Sequence, residues 1–146
     1  MSIKRSDVWK WCSQYIRLRD ALEFCRKHEI DIYQFPTPDD LPAQCCSCGK
    51  NKSSWRLGDA GHFISRGLRG LSGVYFDERN IHFQCKKCNG FKQGNAQGYR
   101  KFMLEKYGQA VIDELEILDR TNSYKDKLWG LREYYKDRYR ELVRSI

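Results

Sequence analysis

Apolar residues recur at three- and four-residue intervals near both ends of the chain, and this spacing predicts a helix at each end. The first helix covers residues 6–28, where Ser6 or Asp7 can cap the first turn. Its apolar positions are Val8, Cys12, Tyr15, Ile16, Leu22 and Cys25. Because Cys12 and Cys25 belong to this pattern, we interpret them as small buried hydrophobic residues rather than metal ligands.

The last helix is predicted over residues 124–143, and it has one apolar face with Lys and Arg on the opposite side. That face is formed by Leu128, Leu131, Tyr135, Tyr139 and Leu142. We expect it to pack against the N-terminal helix. Dimerisation through the same aromatic stripe is the alternative.

The middle of the chain has no long periodic segment. Pro36, Pro38 and Pro42 end any helix there and predict a stiff connector. Frequent glycines after this connector are typical of loops and short strands. The predicted elements are strands over residues 59–64 and 80–84, followed by helices over residues 99–106 and 110–118.

Together these patterns predict an α+β fold. At 146 residues the chain is long enough for a single domain with its own core. We divide it into an N-terminal helix over residues 6–28, a core over 44–108 and a C-terminal helical region over 109–146.

Positive charge is concentrated in the core segment. The chain has 27 Lys and Arg against 19 Asp and Glu, a formal charge of +8. Residues 45–108 alone carry twelve basic and four acidic residues, a net charge of +8, and the other segments cancel one another. An evenly basic, solvated surface predicts no such concentration. The pattern therefore indicates a polyanionic partner bound at this segment.

The polarity of the chain indicates where in the cell the protein is located. Charged residues make up 32% of the chain and the mean hydropathy is -0.77. No stretch approaches the roughly 20 apolar residues of a membrane span. Residues 1–7 are followed by no apolar core of a signal peptide. We therefore expect a soluble intracellular protein with no membrane partner.

Seven cysteines point to a metal site. Four of them form two C-x-x-C pairs, Cys45 with Cys48 and Cys85 with Cys88. Two such pairs let four thiolates converge on one tetrahedral ion, which predicts structural zinc. A secreted disulfide framework would favour an even number of cysteines and a signal sequence. Cys46 leaves the first pair ambiguous, and we favour Cys45 because the two-residue spacing bends both sulfurs to one side.

Groups suited to phosphodiester hydrolysis lie between the two cysteine pairs and just after them. They are Asp59, His62, Asn80, His82, Asn89 and Lys92. An Asp oxygen and an Asn carbonyl suit Mg²⁺ or Mn²⁺. A neutral histidine can deprotonate water, a metal can stabilise the leaving oxygen, and a lysine can contact a neighbouring phosphate.

The order and spacing of these groups resemble those of a zinc-bearing HNH (ββα-metal) nuclease. The string is C-x-x-C, D-x-x-H, N and C-x-x-C-N-x-x-K. Longer matches are G-D-A-G-H-F-I-S-R from residue 58, F-D-E-R-N-I-H-F-Q-C from residue 76 and Y-G-Q-A-V-I-D-E-L from residue 107. Over about residues 9–118 the chain resembles the phage lambda NinG/Rap recombination-endonuclease family.

The resemblance implies a small zinc-stabilised HNH-like core flanked by N-terminal and C-terminal helices. It also implies a phage-encoded, metal-dependent nuclease of branched double-stranded DNA, acting on Holliday junctions and D-loops in the host bacterial cytoplasm. Recombination proteins of the phage or host would be partners. Symmetric pairs of cuts would suit a homodimer.

Roles follow residue by residue from the same resemblance. His62 matches the general base, Asn80 the loop-fixing residue and Asn89 the helix-borne ligand of the catalytic metal, while the four paired cysteines match the zinc knuckles. Asp59 departs from the usual pattern, because it stands three residues before the histidine rather than next to it. We expect it to share a strand face with His62 and to reach the metal. His82 either binds the metal, contacts the scissile phosphate or simply flanks the site.

Three basic residues are candidates for contacts with DNA phosphates: Arg66, Lys92 and Arg100. Ordinary surface charge is the alternative for each. Two other functions also remain open. A non-catalytic zinc-stabilised nucleic-acid-binding module would use the same basic charge, and a sequence-specific HNH endonuclease would need recognition elements for which the chain has little room.

Overall fold

The computed structural model describes residues 2–65, 71–91 and 95–146. The helices in these ranges are α1 (Arg5–Lys27), α2 (Ala96–Lys106), α3 (Gln109–Thr121) and α4 (Leu128–Arg144). The strands are β1 (Ala43–Gln44), β2 (Asn51–Lys52), β3 (Gly58–His62) and β4 (Ile81–Cys85). The predicted α+β class is confirmed.

Helices α1 and α4 pack together and bury the apolar stripes that the sequence indicates. Their shared core includes Val8, Cys12, Tyr15, Ile16 and Tyr135. Cys12 and Cys25 are both 0% exposed, so their interpretation as buried hydrophobic residues is confirmed.

The partner of the α4 stripe is α1 of the same chain, as expected. Tyr135 is 1% exposed, and its hydroxyl donates a hydrogen bond to the Phe76 carbonyl. Tyr135, the central aromatic residue of the stripe, is therefore already buried within one chain, which favours the intramolecular packing; dimerisation stays a prediction.

Helix α4 begins four residues later than predicted. Tyr124 and Lys127 lie in a turn closed by a hydrogen bond from Lys127 N to Tyr124 O (2.9 Å), and Asp126 has a left-handed φ of 63°. The Tyr124 hydroxyl accepts a hydrogen bond from Phe76 N (3.2 Å). This anchoring of Tyr124, together with the left-handed residue, prevents the helix from starting there.

Strands β3 and β4 pair antiparallel, with Gly58 opposite Cys85 and His62 opposite Ile81. One face of this sheet packs on α1, through Ala60 and Phe83. A Cβ atom at Gly61 would collide with the far end of the Gln84 side chain, which would have to shift to make room for it.

The first cysteine pair lies at the turn between β1 and β2. Gly49 has a φ of +78°, which glycine adopts readily, and it completes this tight turn. Cys46 N donates to Phe83 O (3.0 Å), so the turn is attached to β4.

After β4 the chain forms a π-helical turn, Lys87–Phe91, and α2 then packs beside the cysteine turn. A Cβ atom at Gly98 would collide with the Ser47 carbonyl. Helices α2 and α3 share a core of Val74, Tyr99, Met103, Ile112 and Leu115. Among the described residues, no helix has both the length and the apolar character needed to cross a membrane.

Candidate metal centre and adjoining cleft

The two C-x-x-C pairs converge in space. The sulfur atoms of Cys45, Cys48, Cys85 and Cys88 all lie within 4.8 Å of one another, and those of Cys48 and Cys85 are 3.7 Å apart. Two sulfurs bound to one tetrahedral zinc ion are separated by about 3.8 Å, given Zn–S bonds near 2.3 Å. The cluster therefore fits a structural zinc ion with four thiolate ligands.

Hydrogen bonds around the cluster favour thiolates. Cys88 N and the Asn95 side-chain amide each point at a cysteine sulfur, Sγ of Cys85 and Sγ of Cys88 respectively, at 3.4 Å. Burial raises the pKa of the Cys85 thiol, but the bonds from Cys88 and the neighbouring cysteines outweigh it and lower the pKa to about 7. Burial raises the pKa of Cys45 to about 12, so this residue needs the positive charge of a metal ion to ionise.

Cys46 lies outside the cluster. Its sulfur contacts Ser47 Oγ at 3.6 Å, and its side chain packs at the edge of the α2–α3 core. The preference for Cys45 over Cys46 as the cluster residue is confirmed.

Asp59 and Asn89 meet beside this cluster. Asp59 lies on β3, and its Oδ2 accepts a hydrogen bond from Asn89 Nδ2 at 3.1 Å. Asn89 directly follows Cys88 in the π-helical turn, so the cysteine cluster holds it in position. The other Asp59 oxygen, Oδ1, forms an ion pair with Lys86 Nζ at 2.7 Å.

These side chains line an open cleft of about 400 Å³ between α1 and the sheet, to which Trp9 and Ser13 also contribute. A carboxylate and an amide carbonyl are hard oxygen donors suited to Mg²⁺ or Mn²⁺. The Asn89 amide can turn to present Oδ1 instead of Nδ2. The Lys86 ammonium group is the cationic partner of the Asp59 carboxylate.

His62 is not among the side chains that line this cleft. The expectation that Asp59 and His62 lie on one face of β3 is wrong. Side chains alternate along a strand, so residues three positions apart point to opposite sides of the sheet. The His62 ring instead stacks between Trp9 and Tyr75, with ring centroids 4.9 and 4.4 Å away.

The tautomer of His62 follows from its hydrogen bond. Nε2 lies 2.9 Å from the Tyr75 carbonyl oxygen, which can only accept, so Nε2 carries the proton. In the neutral ring Nδ1 is then the proton acceptor. Burial lowers the pKa of His62 to about 4, a shift that the hydrogen bond opposes and the charge of Arg5 increases.

His82 lies in the interior rather than at the cleft. It is 0% exposed, with Nδ1 3.1 Å from the Tyr99 hydroxyl and Nε2 2.8 Å from the Tyr107 hydroxyl. The Tyr99 hydroxyl donates to Gly61 O at 2.6 Å, so it accepts from Nδ1, and Tyr107 donates to Nε2.

Both nitrogens of His82 are therefore occupied by tyrosines, and burial lowers its pKa well below the ordinary value. This arrangement corrects the prediction that His82 binds a catalytic metal or a scissile phosphate. Of the roles considered for it, only that of a flanking, structural residue agrees with its position.

Asn80 is 0% exposed and ties together two parts of the chain. Its Oδ1 accepts from Ile64 N (2.8 Å), and its Nδ2 donates to Ile64 O (3.1 Å) and Val74 O (3.2 Å). Through these bonds Asn80 links the end of β3 to the segment before β4.

Of the three residues predicted to contact DNA phosphates, the structure describes only Arg100. Arg66 and Lys92 lie outside the described residues. Arg100 is exposed on α2, where its Nη2 donates to Gln109 Oε1 at 3.2 Å.

The sequence analysis did not single out Lys86, although its position between Cys85 and Cys88 is a usable signal. Nothing in the sequence indicates that Trp9 reaches the cleft.

Fold and site define a small α+β protein in which a cluster of four cysteines, suited to one metal ion, joins a helical turn to a two-stranded sheet. The family described as "Bacteriophage Lambda NinG protein" matches residues 31–145. The chain belongs to the NinG family.

The curated relatives are all phage proteins named "Protein ninG". Over 78 residues the chain is 46% identical to that of Salmonella phage P22, 45% to that of Escherichia phage 933W and 44% to that of Escherichia phage lambda. Each match covers 53% of this chain and 35% of the relative, so it spans about a third of the relatives' length. No solved structure matches the chain.

Proposed function

We propose that this chain is a metal-dependent DNA endonuclease that hydrolyses phosphodiester bonds in branched recombination intermediates, such as Holliday junctions and D-loops. The observation that carries the proposal is the contact between Asp59 and Asn89 in an open cleft beside the cysteine cluster. Membership of the NinG family and the net charge of +8 over residues 45–108 add support.

Asp59 and Asn89 would hold Mg²⁺ or Mn²⁺ through a carboxylate oxygen and an amide oxygen. The bound metal would polarise the phosphate and stabilise the leaving oxygen. The cysteine cluster would fix the turn that carries Asn89, so that its amide stays against β3. Lys86 would move from Asp59 to a phosphate oxygen as the metal enters.

His62 is the proposed general base. With a pKa of about 4 it is neutral at physiological pH, and its Nδ1 is free of the proton that Nε2 carries. Trp9 both lines the cleft and stacks on the His62 ring. Trp9 is therefore the side chain that connects the proposed base to the cleft.

Asn80 would act as the loop-fixing residue through its bonds to residues 64 and 74. Branched double-stranded DNA in the host bacterial cytoplasm is the proposed substrate, and recombination proteins of the phage or host are proposed partners. Symmetric cuts across a junction would require two copies of the chain.

The test is cleavage of a synthetic four-way junction by zinc-loaded protein with Mg²⁺ or Mn²⁺. We expect His62→Ala, Asp59→Ala and Asn89→Ala each to cleave about tenfold to a hundredfold more slowly than wild type, or slower still. Asp113→Ala, which removes an exposed carboxylate from α3, is the matched control and should cut normally. Equal cleavage by wild type and the three site variants would contradict the mechanism.

One observation favours a second candidate, a zinc-stabilised nucleic-acid-binding module without catalysis. His62 and the pair Asp59–Asn89 lie on opposite faces of β3, with Trp9 between the ring and the cleft. This candidate predicts junction binding with steep salt dependence and no nicking with any divalent metal.

A further inference from the structure

Two arginines stack on one buried tryptophan at the edge of the cleft. Cζ of Arg17, on α1, lies 5.2 Å from the Trp55 ring centroid, and Cζ of Arg56 lies 4.1 Å from it. Trp55 is 0% exposed, and its Nε1 donates to Pro38 O at 2.8 Å. The indole therefore forms a rigid platform that holds both guanidinium groups.

Little negative charge balances these two arginines. Arg17 donates to two neutral carbonyls, Ser13 O (3.2 Å) and Gly58 O (3.4 Å), and the described residues provide it with no ion pair. Arg56 pairs with Asp39 at 3.1 Å, but both side chains are about half exposed. Such a surface pair contributes little and can be exchanged for another anion.

The two charges repel each other and still remain close. Burial is the main reason why the pKa of Arg17 is lowered from its ordinary value, and the charge of Arg56 is the second; the charge of Asp59 acts in the opposite direction and does not outweigh them. Holding like charges together has a cost, which a bound anion would remove. Both arginines line the same cleft as Asp59 and Asn89.

We propose that Arg17 and Arg56 form a binding site for a DNA backbone phosphate. This phosphate would lie next to the phosphodiester bond that is cleaved at the metal held by Asp59 and Asn89. The inference rests on the proposed function and names residues of α1 and of the segment before β3 as substrate contacts. Planar guanidinium groups suit phosphate oxygens, because each can donate two parallel hydrogen bonds.

The site would place DNA across the cleft. A DNA strand anchored at Arg17 and Arg56 would also lie beside Lys86 and the Asp59–Asn89 pair, since all of these side chains line one opening. The α1 helix would then contribute to substrate binding as well as to the core.

The test measures junction affinity against salt concentration with zinc-loaded protein and no added Mg²⁺ or Mn²⁺. The double variant Arg17→Met/Arg56→Met should bind about tenfold more weakly for each arginine removed. It should also reduce the slope of log K against log salt by roughly 2, one for each lost phosphate contact. An unchanged slope would overturn the inference.

Two controls separate this site from a loss of structure or a general charge effect. Arg17→Lys/Arg56→Lys keeps the charge and should keep the salt slope. Lys125→Gln removes one exposed charge from the turn before α4 and should leave the slope unchanged. Zinc content and circular dichroism check that each variant is folded, and a Lys125→Gln slope reduced as much as by one arginine would also overturn the inference.

Cleavage with Mn²⁺ is measured on the same proteins. Wild type that binds with the predicted slopes but cuts nothing would refute the endonuclease and leave the phosphate site standing. Wild type that cuts normally while Arg17→Met/Arg56→Met keeps its slope would refute the phosphate site alone.

Discussion

The α1–α4 region and the cysteine-bounded segment are stabilised in different ways. Helices α1 and α4 bury large side chains such as Tyr15, Ile16 and Tyr135 against one another. Between the cysteine pairs, the described strands are two to five residues long, and the cysteine cluster itself consists of Cys45, Cys85 and Cys88 with exposed Cys48. Burial of apolar surface supports the first region. The second also buries Trp55 and Phe83 against α1, and its four clustered cysteines offer a site where a metal ion would cross-link its turns.

The difference shows where the proposed chemistry is located. Asp59, Lys86 and Asn89 all belong to the cysteine-bounded segment, and Lys86 and Asn89 each directly follow a cysteine of the cluster. The helical region supplies the wall of the cleft through Trp9 and Arg17. The helical region therefore borders a small segment whose two cysteine turns a metal ion would join.

The largest expected effect comes from breaking the cluster. Cys85→Ala removes one of four zinc ligands, and structural zinc sites contribute about 10–16 kcal/mol of apparent binding free energy. We expect loss of zinc, measured by atomic emission, and loss of strand signal in circular dichroism. Cys46→Ala is the matched control and should retain one zinc per chain, because its sulfur lies outside the cluster.

The helical region should respond in the opposite way. Tyr135→Ala removes a side chain that is 1% exposed and should lower the free energy of unfolding by about 3–5 kcal/mol. The protein should still bind zinc at 25 °C. Tyr135→Phe keeps the ring and loses only the bond to Phe76 O, so it should cost about 1 kcal/mol. Loss of zinc in Tyr135→Phe would show that the two regions are not separable.

A smaller effect is expected from pH. The folded pKa of His62 is about 4, below its unfolded value of 6.5, so the unfolded chain binds more protons between these values. Stability should therefore fall as the pH drops from 7 to 5, by about 2 kcal/mol from this residue.

The measurement for His62 is urea unfolding of wild type and His62→Asn at both pH values. Zinc and His82 contribute equally to the two proteins, so the difference isolates His62. Parallel pH dependence in both would contradict the buried, neutral histidine.

The smallest effect concerns Lys86. Its ion pair with Asp59 is largely exposed, with 68% of the lysine side chain accessible, and such pairs are worth about 0.2–1 kcal/mol. Lys86→Ala should bind Mn²⁺ two- to fivefold more tightly in the absence of DNA, as measured by electron paramagnetic resonance. Equal or weaker Mn²⁺ binding would contradict competition between the lysine and the metal for Asp59.

Local patterns predicted most of the fold. Periodicity identified α1 and the partner of the α4 stripe, and the C-x-x-C spacing identified the cluster and the choice of Cys45. The site was harder, because it depends on contacts between distant residues. The burial of His82 comes from Tyr99 and Tyr107, and the position of His62 comes from Trp9 and Tyr75.

Two errors had local causes. Asp59 and His62 were expected on one face, although the two-residue period of a strand places positions three apart on opposite faces. The start of α4 was predicted too early because helical periodicity continues through Tyr124, where a left-handed Asp126 interrupts the backbone.

The central claim is that the cysteine cluster holds Asn89 against Asp59 to form a second, catalytic metal site. The most direct measurement is anomalous diffraction at the manganese edge from crystals of zinc-loaded protein soaked in Mn²⁺, with Asp59→Ala crystals as the control. We expect a manganese peak bound to Asp59 and Asn89, separate from the zinc peak and missing in Asp59→Ala. Manganese found only at the cysteines, or at neither place, would contradict it.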